Sequence, residues 1–70
     1  MKVMHEIHVR VVSAEEADYG VAEFWSDGRQ IAYTVLDDGD LMLRIDKGVE
    51  VGAHSLAEAI AEANRLLALY

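Results

Sequence analysis

The stretch Val21-Ala22-Glu23-Phe24-Trp25-Ser26-Asp27-Gly28-Arg29-Gln30-Ile31-Ala32-Tyr33-Thr34-Val35-Leu36-Asp37-Asp38-Gly39-Asp40-Leu41-Met42-Leu43-Arg44-Ile45 sets two Asp-Gly pairs among apolar runs. Asp-Gly favours tight hairpin turns because both residues tolerate positive φ. The spacing predicts three consecutive antiparallel strands. A two-residue loop at Asp27-Gly28 pairs Phe24 with Ile31 and Ala22 with Tyr33 on one face. Val21, Glu23 and Trp25 then share the other face with Gln30, Ala32 and Thr34, whereas a three-residue loop mixes the faces. At the second turn the preference reverses. A two-residue loop sets Asp37 against Asp40. A three-residue loop, Asp37-Asp38-Gly39 with Gly39 left-handed in a bulge, pairs Val35 with Leu41, Tyr33 with Leu43 and Ile31 with Ile45. The longer loop gives one continuous apolar face and is the register expected here.

On the N-terminal side, Met4 to Val12 alternates with period two, placing Ile7, Val9 and Val11 inward and Glu6, His8 and Arg10 outward, as in a half-buried strand. Ser13 with Glu16 has capping-box spacing inside a connection that ends at Gly20. On the C-terminal side, Val49-Glu50-Val51 reads as a short extended piece. Ser55 with Glu58 forms a second capping box, expected to open a helix whose stripe is Leu56, Ala59, Ile60, Ala63, Leu67 and Tyr70. The fold expected is therefore α+β: a four-stranded antiparallel meander with one C-terminal helix on one face (ββββα), a single domain over 1–70. The segment Ser55-Leu56-Ala57-Glu58-Ala59-Ile60-Ala61-Glu62-Ala63 resembles the helix that ends HicB-type antitoxin domains. The Pro-containing segment expected ahead of that helix is missing, since the chain has no Pro. No function is carried over from the resemblance.

Composition narrows the function classes. The chain's 70 residues carry a formal charge of −7 and no Cys, which excludes disulfides, a Cys-based zinc site and a Cys nucleophile. Its basic residues (Lys2, Arg10, Arg29, Arg44, Lys47, Arg65) are scattered singly, so neither phosphate-led nucleic-acid binding nor an anionic membrane is expected. No apolar run suits a membrane span, and Met1-Lys2-Val3-Met4-His5 does not begin a signal peptide. A cytoplasmic location is the expectation.

Candidate chemistry is sparse. His5-Glu6-Ile7-His8 suggests metal binding, but on a strand His5 and His8 point to opposite faces, and Glu6 with His8 makes only two ligands. His54 precedes the helix cap. Ser13 and Ser55 serve as caps and Ser26 flanks a turn, and there is no Gly-x-Ser-x-Gly elbow or Gly-rich phosphate loop. Asp37-Asp38-Gly39-Asp40 lacks the spacing of a calcium loop. The expectation is no catalysis, no cofactor and no metal. Trp25 and Tyr33, set on opposite faces by the expected register, make no stacking platform for single-stranded nucleic acid.

What remains is the sheet face away from the helix. The candidate interface there is Trp25, Met42, Arg44, His8, Arg10 and Leu36, residue types enriched at protein contacts. So small a core gains from extra burial, and a homodimer through this face is expected. The alternative is an acidic inhibitor or antitoxin-like protein. In that reading Glu15, Glu16, Asp18, Asp37, Asp38 and Asp40 occupy a basic site on a nucleic-acid-handling partner. A weak metal-dependent or enzymatic role through the histidines is the third possibility.

Overall fold

A computed structural model describes residues 3–4, 6–13 and 20–69 of the chain. Strands β2 (His8–Ser13), β3 (Gly20–Ser26), β4 (Arg29–Asp37) and β5 (Asp40–Ile45) form an antiparallel sheet in that order. The C-terminal helix α1 (Ala53–Leu67) packs on one face of it. This is the ββββα architecture. The first strand is not continuous: β1 (Val3–Met4) leaves the sheet and pairs in parallel with β6 (Glu50–Val51). The break falls at Glu6, whose carbonyl accepts a hydrogen bond from the buried Ser26 hydroxyl at 2.6 Å.

Both hairpins close with two residues. Asp27 and Gly28 have φ of 55° and 75°, Asp38 and Gly39 of 53° and 85°, the paired positive values of a type I′ turn. The first turn behaves as expected, pairing Ser26 with Arg29 and Trp25 with Gln30. The next pairs are Phe24 with Ala32 and Glu23 with Tyr33, so Ile31 is one extra residue, a β-bulge. Ile31 and Ala32 are consequently both buried, and every residue beyond them changes face. Tyr33 and Val35 turn outward, while Thr34 and Leu36 turn toward the helix.

That bulge also overturns the expected second loop. With Tyr33 facing out, a three-residue loop would oppose it to Leu43 and mix the faces. The two-residue loop instead pairs Thr34 with Leu43, Tyr33 with Arg44, Val35 with Met42 and Leu36 with Leu41. It sets Asp37 against Asp40, a like-charge pair worth a few tenths to about 1 kcal/mol at most. Turning Leu43, which packs against the buried core, to the other face would cost more.

The helix starts earlier than the capping box implied. Gly52 is the N-cap and makes no side-chain cap, leaving Ser55 inside the first turn. Leu56 N–H donates to the Gly52 carbonyl at 2.9 Å. His54 and Glu58 pair one turn apart at 2.9 Å, which supports the extra residues. The Ser13–Glu16 box lies largely outside the described residues.

The core is small and uneven. Its buried apolar members are Ala22, Phe24, Ile31, Ala32, Ala59 and Ala63, so only Phe24 and Ile31 bring large side chains. The small residues allow helix and sheet to approach closely over β2 and β3, where α1 packs. Toward β5 the helix leaves the same face open: Leu36, Leu41, Ile45 and Ile60 are all at least 38% exposed.

Candidate functional site

The face opposite the helix is built by side-chain alternation. The β2–β3 register places His8 beside Trp25, Arg10 beside Glu23 and Val12 beside Val21. The β3–β4 and β4–β5 registers extend one row across all four strands as Arg10, Glu23, Tyr33 and Arg44. Val35 and Met42 lie together further along. The structure thus brings together His8, Arg10, Trp25, Met42 and Arg44 of the expected interface.

Leu36 does not join them. The bulge at Ile31 turns it to the helix side, opposite Leu41. Tyr33 and Val35 take part instead, and Trp25 and Tyr33 share a face rather than standing on opposite ones. Sequence reading missed these two because Ile31 to Leu36 is apolar at nearly every position, which leaves period-two alternation with nothing to choose between. Thr34 was the one available signal, since its hydroxyl accepts the Ala22 N–H at 2.9 Å inside the core.

The chemistry of this face is aromatic and locally cationic. Trp25 is half-buried, and its indole N–H donates to the Glu23 carboxylate two residues back on the same strand at 3.1 Å, which restrains the ring along β3. Tyr33 and Met42 are 39% and 49% exposed. Arg10 and Arg44 flank Glu23 and Tyr33, and neither forms an ion pair among the described residues. No helix or strand among them covers the face.

Negative charge collects elsewhere. Asp37, Asp38 and Asp40 are exposed at the tip of the β4–β5 hairpin, whereas Glu15, Glu16 and Asp18 lie outside the described residues. An open groove of about 430 Å³ between β2 and the helix is lined by Glu6, His8, Ser55, Glu58 and Glu62 among others. Hydrogen bonding to the Arg65 guanidinium holds the Glu62 carboxyl below its ordinary range.

The remaining candidates are structural or apart. The Ser26 hydroxyl is committed to the Glu6 carbonyl and Thr34 to the Ala22 amide. His54 is engaged with Glu58, and His5 lies outside the described residues. Among the described residues no three His, Asp or Glu side chains converge as a metal site would require. Nor is any helix among them long and apolar enough to cross a membrane. No family model, curated protein or solved structure matches the chain.

Proposed function

We propose that the protein is a non-catalytic protein-interaction module that docks a partner on its outer sheet face. One observation carries this reading: a four-stranded surface, uncovered among the described residues, has Trp25 and Tyr33 at its centre and Arg10 and Arg44 at its sides. Trp, Tyr and Arg supply most binding hot spots, because they bury large area and bring a polar group with it. The partner that fits this surface presents carboxylates around an apolar centre. The test is partner capture with the full chain. Trp25→Asp should abolish capture, and Arg10→Glu should slow association in a salt-dependent way. Unchanged capture by both variants would refute the assignment.

A second reading rests on the hairpin tip, where exposed Asp37, Asp38 and Asp40 stand without an ion pair among the described residues. Such a tip suits a basic site on a nucleic-acid-handling protein, with the chain acting as an acidic inhibitor. Binding of that kind weakens steeply with salt and is lost in Asp38→Lys, while Trp25→Asp leaves it intact.

A further inference from the structure

We propose that β5 is a pairing edge for a second copy of this chain, running antiparallel about a two-fold axis at Met42, so that two four-stranded sheets join into one of eight strands. This edge borders the outer face assigned to a partner and shares Met42 and Arg44 with it, while Trp25 and Tyr33 lie off it.

The backbone phase identifies the free groups. Asp46 N–H donates to the Ile31 carbonyl at 2.8 Å. Bonded and non-bonded pairs alternate along an antiparallel ladder. In the β4–β5 register, Asp40, Met42 and Arg44 therefore turn their backbone groups toward β4, while Leu41, Leu43 and Ile45 turn theirs outward. Among the described residues β5 has no neighbour on that side.

Natural edge strands are guarded by Pro, bulges, inward-pointing charges or charged side chains, Lys above all. Asp40-Leu41-Met42-Leu43-Arg44-Ile45 has no Pro, Lys or inward charge, its two charges are of opposite sign near its ends, and its register with β4 runs without a shift. The helix-side residues of this edge also lack cover. Leu41 and Ile45 are each 47% exposed, and Leu41, Leu43 and Ile60 line an open groove of about 300 Å³ that reaches in to Phe24.

Charge selects a second copy as the occupant and fixes its register. Pairing centred on Met42 sets Asp40 opposite the second copy's Arg44, and Arg44 opposite its Asp40. Leu41 then meets Leu43 on the helix side, and each such pair exchanges two hydrogen bonds. Centring on Leu43 instead would oppose Asp40 to Asp46, like charge against like. Centring on Leu41 runs the ladder into the Asp38-Gly39 turn. Within one chain Asp40 and Arg44 are about 13 Å apart along the strand, too far to satisfy each other. The charge of −7 on each copy opposes association. The leucine contacts and main-chain bonds therefore carry the affinity, and Asp40 with Arg44 set the alignment.

The experiment is light scattering of the full chain at sub-millimolar concentration, with charge-reversed variants. Wild type should run at twice 7.8 kDa. Arg44→Asp and Asp40→Arg should each weaken the dimer by about tenfold or more, and the double variant Asp40→Arg/Arg44→Asp should recover it. Met42→Cys, the only thiol in its chain, should oxidise readily to a covalent dimer, while Val35→Cys, one strand further in, should not. Trp25→Asp should leave the dimer mass unchanged. A monomeric wild type, single reversals without effect, or a natively folded double variant that stays monomeric would each overturn the proposal. Loss of the dimer in Trp25→Asp would also overturn it, moving the self-contact to the outer face.

Discussion

The two halves of the sheet lie in one antiparallel ladder, yet they are finished differently. Over β2 and β3, Ala22, Ala59 and Ala63 let the helix approach until Phe24 is 1% exposed. Over β5, Leu41 and Ile45 face the same side and remain 47% exposed. A single 15-residue helix closes only as much sheet as its alanine stripe reaches. The difference shows how a short chain divides its apolar residues. Small ones close a core within the chain, while large ones beyond the helix are left for another surface to cover.

The sharpest test of this contrast is truncation in each half. Phe24→Ala should cost about 3–5 kcal/mol, comparable to the whole stability of about 3–5 kcal/mol that so small a core provides. Its circular dichroism should then be that of an unfolded chain. Leu41→Ala, measured on dilute protein, should cost about 1 kcal/mol or less because the side chain is already half in water. Equal losses from the two truncations would erase the distinction between closed and open halves.

Next in size is the polar contact at the inner seam. Thr34→Val keeps the shape but leaves the buried Ala22 N–H without the acceptor it now has at 2.9 Å. A loss of about 1–3 kcal/mol should appear as a lower urea midpoint with unchanged slope. A neutral result would mean that Thr34 is not held inside, and the bulge assignment would fail with it.

Two smaller effects follow. Asp37→Lys replaces a like-charge cross-strand pair with an attractive one and should stabilise the open half by about 0.2–1 kcal/mol, read in the thermal midpoint. On the helix, the folded-state pKa of Glu62 lies below its unfolded value because of the Arg65 hydrogen bond. Its contribution is present above the unfolded pKa and disappears as pH falls through the folded one. Glu62→Gln should therefore melt slightly below wild type at neutral pH, and the two should converge in acid. The shift stays small because both groups are exposed.

Much of the fold is legible in the residues themselves. The two Asp-Gly pairs locate both turns, and the alanine-leucine stripe after Gly52 locates the helix. The faces of β4 are not legible, and the reason is physical. Ile31-Ala32-Tyr33-Thr34-Val35-Leu36 can present either alternate set to the core, so a one-residue bulge decides between them without any change in pattern. The second loop depends on the same choice: with Tyr33 inside, three residues give a continuous apolar face, and with Tyr33 outside, two do. The helix start is not legible either, because Ser55 and Glu58 fit a capping box that the helix, capped at Gly52, does not use. On the outer face, His8, Arg10 and Trp25 follow from period two and the β2–β3 pairing, while Met42 and Arg44 reach the expected face because the bulge and the shorter loop offset each other. Tyr33 and Leu36 depend on the parity of β4, and they exchanged places.

If the β5 half is completed between two chains, the amides of Leu41 and Leu43 are where hydrogen exchange must register it. In an isolated chain these N–H groups face solvent; in the paired edge they are bonded. Leu41 and Leu43 should be protected in concentrated protein and lose that protection on dilution, with the Met42 and Arg44 amides protected throughout. Leu41 and Leu43 amides exchanging at unprotected rates at every concentration would contradict it.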